Sequence, residues 1–268
     1  MLDSNPPGLL DRAGLRKAAM DAGFDVLANV AAAVVARSSH APLVCVVGRA
    51  APEGYAAGLS MDNVVQALRQ VDHGVVGRAA CVSGELGMVQ HTELPAIAGW
   101  FSCSDLHALE GLLARAWALS RALPNELERR FQAALAAVQA TEREATVRQR
   151  IGQNLFREGL MSLWGGRCAV TGLDVPALLR ASHAKPWADS NDAERMDVYN
   201  GLLLAAHWDA AFDAGLVSFD VDGRPLWSPK LSQAGVELLV RQSSPTGVQL
   251  APRHVAYMAW HRDRVWQA

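Results

Sequence analysis

The sequence predicts an α+β fold that is divided into two modules. Its 268 residues are 50% hydrophobic and 19% charged, which is the balance of a folded globular protein. Short β-branched runs separated by Pro and Gly lie between residues 26 and 59, whereas helical periodicity dominates from residue 105 onward. Residues 141–150 are charged and nearly lack large apolar side chains. We therefore expect an α+β module at residues 1–140, a second module at residues 141–268, and connecting helices between them.

Local signals predict the elements of the first module. Leucines at helical spacing predict a helix over residues 9–22, and Gly23 is a helix stop. Three apolar runs predict strands: residues 30–35, residues 43–47 and a weaker strand around Tyr55. The side chains of Ser60 and Asp62 can accept hydrogen bonds from free amides, so they predict a helix that begins there and continues through Leu68.

The rest of the chain is predominantly helical in pattern. An apolar stripe between residues 106 and 119 predicts one helix, and Pro124 begins another that reaches at least Ala140. In the second module, Asp222-Gly223 is a strong signal for a β-hairpin turn between strands at 216–219 and 225–227. Further helices are predicted at about residues 147–163, 232–241 and 253–265.

Charge and cysteine content limit the classes of function. The formal net charge of −2 is a mild argument against a nucleic-acid partner, because such domains are often strongly basic. The four cysteines are far apart and form no Cys-x-x-Cys pair, which argues against a structural zinc site. No signal peptide opens the chain, and its longest apolar run, residues 27–36, is too short to cross a membrane. We therefore expect a cytoplasmic protein with no membrane partner.

The residues between 182 and 213 carry the most chemical information. One histidine, one asparagine and two aspartates follow one another in a fixed order: His183, Asn200, Asp209 and Asp213. With Thr171-Gly172-Leu173 before it and Phe212-Asp213-Ala214-Gly215 at its end, this order resembles the HNH, or ββα-metal, nuclease motif. The preceding Arg150-x-Gly152-Gln153-x-x-Phe156-Arg157 is similar to a segment of bacterial restriction-type relatives. The resemblance implies a ββα-metal HNH nuclease domain in the second module.

In the resembled motif the histidine is the general base, so His183 is the candidate for that role. Histidine suits it because an unperturbed pKa of about 6.5 leaves the ring mostly neutral near pH 7. Asn200, the second candidate catalytic residue, would brace the motif loop rather than bind the metal, since its amide both donates and accepts hydrogen bonds. The alternatives are a surface or capping role for His183 and a simple Asn200-Gly201 turn.

Asp209 and Asp213 are the candidate metal ligands. Aspartates at i and i+4 lie on one helix face about 5–6 Å apart at Cβ, and such oxygen ligands favour Mg²⁺ or Mn²⁺ over zinc. The alternative for both is a role at the helix ends, and His207 is a weaker candidate ligand. Ser182 stands where many HNH enzymes have an acidic or histidine ligand, although the resembled subgroup often has serine there.

The expected partner is double-stranded DNA. Four basic residues are candidate phosphate contacts, with Arg167, Arg195 and Trp187 nearby: Arg150, Arg157, Arg180 and Lys185. Phosphate contacts position a duplex without reading its sequence, and for each arginine a solvated surface role is the alternative. Cleavage of both strands by a single-site nuclease would further imply a homodimer.

Two functional interpretations follow. The first is a metal-dependent HNH endonuclease of restriction or defence type that hydrolyses DNA phosphodiester bonds, with residues 1–140 recognising DNA by analogy with other restriction enzymes. The alternative is a non-catalytic DNA-binding or regulatory protein on a decayed HNH scaffold. Ser182 and the acidic net charge favour this alternative.

Overall fold

The computed structural model describes residues 9–30, 32–50, 54–71, 80–82, 95–136, 144–241 and 247–268. Helices and strands are mixed along the chain, so the predicted α+β class is confirmed. Backbone contacts divide the chain into two compact units, the N-terminal unit Met1–Arg121 and the C-terminal unit Ala122–Ala268. None of the helices in these described ranges has the length and apolar composition needed to cross a membrane.

The N-terminal unit is built on one antiparallel sheet. Its elements are α1 (Leu9–Asp21), β1 (Val26–Val30), β2 (Ala33–Arg37), β3 (Val44–Arg49), β4 (Tyr55–Leu59), α2 (Asp62–Val71), β5 (Ala80–Val82), β6 (Gly99–Cys103) and α3 (Leu106–Ala122). In the described part of this unit the sheet has six strands in the order β1-β2-β3-β4-β6-β5. Helices α1 and α2 pack against β2 and β4.

Most predicted elements of this unit are present, and one prediction is wrong. The run at 30–35 was expected to be one strand, but Val30 pairs with Ala33, so the chain reverses inside the run and forms the β1–β2 hairpin. The alanines in this run give no turn signal, which is why the reversal could not be seen in the sequence. Gly23 does end α1, with φ +102°, a conformation that L side chains rarely adopt.

The C-terminal unit is richer in helix. Its elements are α4 (Pro124–Ala136), α5 (Glu144–Leu163), β7 (Leu179–His183), α6 (Asp192–Arg195), β8 (Gly201–Ala205), α7 (Ala206–Asp213), β9 (Val217–Phe219), β10 (Pro225–Trp227), α8 (Gln233–Val240) and α9 (His254–Arg264). The predicted start at Pro124 and the hairpin turn at Asp222-Gly223 are confirmed. The helix that begins at Pro124 was predicted to reach at least Ala140, and residues 137–140 lie outside the described residues.

Backbone contacts divide the chain at 121/122, whereas the boundary at 140/141 was predicted from the charged segment 141–150. The physical reason is the packing of α4, which contacts α5 and α6. Leu127 and Phe131 of α4 are fully buried, and a Cβ at Gly159 of α5 would lie 2.9 Å from the Leu127 side chain. A charged segment therefore follows α4 in the sequence without marking a boundary between compact units.

The centre of the C-terminal unit is a two-stranded hairpin covered on both faces. β7 and β8 pair antiparallel, with Leu179 opposite Ala205 and His183 opposite Gly201. Both α5 and α7 pack on the two strands. Successive side chains of a strand point to opposite faces, so the neighbours Ser182 and His183 face different helices. This arrangement decides which helix contacts each candidate site residue.

Candidate functional site

His183 is the last residue of β7, and its ring faces α5. The imidazole stacks on the Phe156 ring with 3.6 Å between centroids and 12° between planes. Its Nε2 lies 3.1 Å from the carbonyl oxygen of Arg195. Because a carbonyl oxygen only accepts, Nε2 must carry the proton, and the lone pair is left on Nδ1. The ring is therefore held in the tautomer that can accept a proton at Nδ1.

Burial also fixes the charge state of His183. Desolvation, with a smaller contribution from the Arg195 charge, lowers the pKa of His183 to about 4, although the hydrogen bond to the Arg195 carbonyl opposes this shift. The ring is consequently neutral at pH 7. A neutral imidazole with an unprotonated nitrogen is what a general base requires.

Asn200 ties the two ends of the loop that connects β7 and β8. The side chain is fully buried. Its Oδ1 accepts from the backbone amide of Lys185 at 2.8 Å, and its Nδ2 donates to the carbonyls of Lys185 and Glu194 at 3.1 and 3.0 Å. Gly201 begins β8, where a Cβ would lie 2.2 Å from the Ser182 carbonyl oxygen. Asn200 therefore connects Lys185 and Glu194 within the loop that leads to β8.

Further polar contacts stiffen the same loop. Lys185 Nζ donates to both carboxylate oxygens of Glu194 at 2.7 and 2.8 Å, and Asn191 and Glu194 form a reciprocal capping box at the start of α6. Arg195 Nε donates to the Trp187 carbonyl at 2.9 Å, and its guanidinium lies 4.8 Å from the Trp187 ring centroid. The loop therefore holds in place the Arg195 carbonyl that orients His183.

Asp209 and Asp213 lie one turn apart on α7. The N-cap of this helix is Ala205, so neither aspartate is its N-cap residue. Ser182, on the β7 face opposite to His183, donates from Oγ to Asp209 Oδ1. Desolvation and the nearby Asp209 charge raise the pKa of Asp213 to about 6. The two carboxylates are close enough for their charges to interact, and a bound divalent cation would relieve this repulsion.

The side chains on α7 alone do not complete a metal site. Among the described residues, no group of three or more His, Cys, Asp and Glu side chains converges on one point. His207 is half-buried and lines a cavity of about 710 Å³ with apolar residues that include Leu173, Leu178 and Leu238. Asp209 and Asp213 therefore remain the two candidate protein ligands.

The candidate phosphate contacts differ in their surroundings. Arg150 is exposed on α5. Arg157 donates to the carbonyls of Leu179 and Pro176, both at 2.7 Å, and Arg180 donates to the Leu179 carbonyl at 2.9 Å. Because Arg157 and Arg180 share the Leu179 carbonyl, their guanidinium groups lie together at the start of β7. Lys185 is instead paired with Glu194.

Two contacts of the site were not foreseen from the sequence. The Arg195 carbonyl is a backbone group, and backbone groups carry no residue-specific signal. The stack of Phe156 on His183 joins distant parts of the chain. The sequence signal nearest to this contact was the segment from Arg150 to Arg157, which contains Phe156. It was singled out because it resembles a segment of bacterial restriction-type relatives, and no contact with His183 was predicted from it.

Comparison with known proteins is consistent with this geometry. Residues 168–220 match the HNH endonuclease family model. The match contains the β7–β8 hairpin, the connecting loop, α7, and the candidates His183, Asn200, Asp209 and Asp213. No curated protein matches the chain. The C-terminal unit therefore contains an HNH domain, as the motif predicted, whereas the restriction-type subgroup stays a prediction.

Proposed function

We propose, on the premise of an HNH endonuclease domain at residues 168–220, that this protein is a metal-dependent endonuclease acting on double-stranded DNA. One observation carries the proposal: a ββα unit holds a neutral histidine by a backbone carbonyl and carries two carboxylates on its helix. Phosphodiester hydrolysis needs an activated water and relief of charge on the phosphoryl group. The unit has residues for both needs.

His183 is the proposed catalytic base. Nδ1 would accept a proton from the attacking water while Nε2–H stays on the Arg195 carbonyl, which stabilises the imidazolium as it forms. Asn200 is a positioning residue in this proposal, because it braces the loop that carries this carbonyl. Neither the tautomer nor the loop needs to rearrange for proton transfer.

Asp209 and Asp213 would hold Mg²⁺ or Mn²⁺, and the hydrogen bond from Ser182 would fix the orientation of the Asp209 carboxylate. When bound, the cation supplies Lewis acidity at the phosphoryl oxygens and at the departing oxyanion. Ser182 thus supports a ligand from a position where other HNH enzymes often have a ligand. This role for serine favours an active site over a decayed scaffold.

The proposed DNA contacts are sequence-independent. Arg157 and Arg180 form a basic pair at the start of β7, and exposed Arg150 adds a third charge from α5. Lys185 completes the set, although its pairing with Glu194 compensates its charge. Such contacts orient a duplex on the site without selecting its sequence. A restriction or defence role is a further part of the proposal, carried over from the resemblance. DNA recognition by the N-terminal unit, with any site or modification preference, is proposed by analogy with other restriction enzymes, and a homodimer because a single-site nuclease would need two copies to cut both strands.

A plasmid-nicking assay tests the central claim. Wild-type protein should convert supercoiled plasmid to open circles with Mg²⁺ or Mn²⁺, and EDTA should stop the reaction. His183→Ala should lower the rate by about 10²–10⁴-fold, the usual contribution of a general base, with DNA binding and folding retained. A wild-type rate in His183→Ala would refute the base assignment. DNA binding without cleavage in any divalent metal would instead favour the non-catalytic alternative.

A further inference from the structure

The residue that stacks on His183 lies outside the matched HNH segment. Phe156 belongs to α5, whereas the family match begins at residue 168. Phe156 is 1% exposed, and its ring is nearly parallel to the imidazole at 3.6 Å between centroids. We propose that α5 is part of the catalytic unit and that Phe156 is a positioning residue for His183. The inference rests on the proposed function.

The hydrogen bond to Arg195 is not sufficient to place the proton-accepting atom. It fixes the direction of the Nε2–H bond, but the ring can still rotate about that direction, and such rotation moves Nδ1. A parallel ring packed against one face of the imidazole removes this freedom. Displacement of a reacting group by about 1 Å can cost about 10²-fold in rate, so the plane of the ring matters as much as its tautomer.

A loop residue, Trp187, contacts the edge of the same ring, and α5 leaves space for it. Trp187 contacts His183 edge-on, with 6.2 Å between centroids and 82° between planes. The indole reaches this position because α5 has Gly152 opposite it: a Cβ there would lie 2.1 Å from a Trp187 ring atom. Gly152 and Phe156 are four residues apart, so they lie on one helix face. Together they form a surface shaped to hold His183 and Trp187.

The strand β8 also leaves space for the Phe156 ring, at Gly201. Gly201 pairs with His183 across the hairpin, and a Cβ at Gly201 would lie 2.8 Å from the Phe156 ring. Only glycine therefore lets Phe156 approach close enough to stack. These close approaches give a physical reason for the Gly152-x-x-x-Phe156 pattern. The functional unit accordingly begins at α5 and not at residue 168.

The test compares two variants of the full chain. Phe156→Leu keeps most of the apolar volume but removes the flat ring. Leu239→Ala is the matched control, because it removes buried volume of the same unit from α8, a helix with no part in the proposed site. We expect Phe156→Leu to lower kcat by about 10–100-fold with little change in KM. Leu239→Ala should lower Tm while kcat at 25 °C stays close to the wild-type value.

A spectroscopic readout separates this inference from the proposed function. An aromatic ring stacked on His183 shields its imidazole protons, so their NMR signals should move downfield in Phe156→Leu and stay at their wild-type positions in Leu239→Ala. Wild-type kcat in Phe156→Leu, or an equal loss of kcat in Leu239→Ala, would overturn the positioning role. If the wild-type protein cuts no DNA, the proposed function fails, and unchanged His183 signals in Phe156→Leu would overturn the inference separately.

Discussion

At the scale of single residues, Ser182 lies next to the proposed base and is bonded to a proposed metal ligand. Its side chain is 2% exposed, and its hydroxyl donates to Asp209 Oδ1. A hydroxyl is a weak ligand, but a hydrogen bond to a ligand carboxylate fixes which oxygen faces the ion, and such contacts tune metal affinity. Asp209 is thereby oriented, whereas Asp213 is the last residue of α7.

This difference predicts unequal effects for the two aspartates. Asp209→Ala should raise the Mg²⁺ concentration for half-maximal cleavage by about tenfold or more, or eliminate turnover, and Asp213→Ala should have a smaller effect in the same direction. Metal titrations of the nicking rate measure both. Asp222→Ala is a suitable control, because this aspartate is exposed at the tip of the β9–β10 hairpin. If neither site variant changes the titration, the ion is held by other residues.

At the scale of elements, α9 secures the end of α7, the helix that carries both carboxylates. His261 of α9 donates from Nε2 to the Phe212 carbonyl at 3.2 Å and accepts at Nδ1 from Ser218 Oγ at 2.9 Å. Its ring also stacks on Phe212 with 3.8 Å between centroids. Desolvation, aided by the Arg262 charge, lowers the pKa of His261 to about 4 despite the hydrogen bond to Phe212.

The buried histidine makes the stability of the C-terminal unit sensitive to acid. Between pH 6.5 and about 4 the unfolded state binds the proton and the folded state does not, so the free energy of unfolding falls as pH decreases through this window. The limiting slope for one histidine is about 1.4 kcal/mol per pH unit. His261→Gln can keep both hydrogen bonds without titrating, and should therefore flatten the dependence in urea unfolding at pH 7.5, 6 and 5.

His183 and His254 should also lower the free energy of unfolding as pH decreases, because burial lowers the pKa of each to about 4. Some acid sensitivity should therefore remain in His261→Gln. The control variant Val255→Ala changes an exposed residue of the same helix that does not titrate, and should leave the slope unchanged. An identical pH dependence in wild type and His261→Gln would show that this ring does not stay neutral in the folded protein.

The elements that the sequence predicted correctly have local signals. Pro124 begins α4, Gly23 ends α1, and Asp222-Gly223 turns the β9–β10 hairpin, each through its own backbone preference. Contacts between distant residues had no such signal. Nothing in the composition of α5 shows that Phe156 stacks on His183, or that the Arg157 guanidinium binds the Leu179 carbonyl. The motif order therefore predicted candidate site residues, but not the contacts that hold them in place.

At the scale of the whole molecule, the C-terminal unit has every part that the proposed chemistry uses. It includes α4, which packs on α5 and α6, so a fragment that begins at residue 122 keeps this packing whereas one that begins at residue 142 does not. The N-terminal unit has its own sheet and core. We therefore expect each unit to fold on its own.

We predict that the fragment 122–268 folds and retains slow, metal-dependent nicking without site or modification preference. Its DNA affinity should fall as salt rises, because the basic contacts are made to phosphates. The measurement compares full-length protein and fragment on modified and unmodified plasmids at two salt concentrations. A folded fragment that keeps the full-length preference would move DNA recognition into the C-terminal unit, and the N-terminal unit would then need another role.

The hydrogen bonds of Asn200 have a consequence for the chemical lifetime of the protein. Asn-Gly is the dipeptide most prone to deamidation, because an unhindered glycine amide attacks the side-chain carbonyl of asparagine to form a succinimide. In the folded chain the Asn200 side chain is fully buried and fixed at both ends, which prevents this approach. Unfolding exposes the Asn200 side chain to this reaction. The resulting aspartate or isoaspartate has no amide group to donate to the Glu194 carbonyl. Cycles of heating at mildly alkaline pH should therefore inactivate the protein irreversibly. The lost activity should rise in proportion to the deamidated fraction of the peptide that contains Asn200, measured by mass spectrometry. Folded protein held at the same pH without heating should keep its activity.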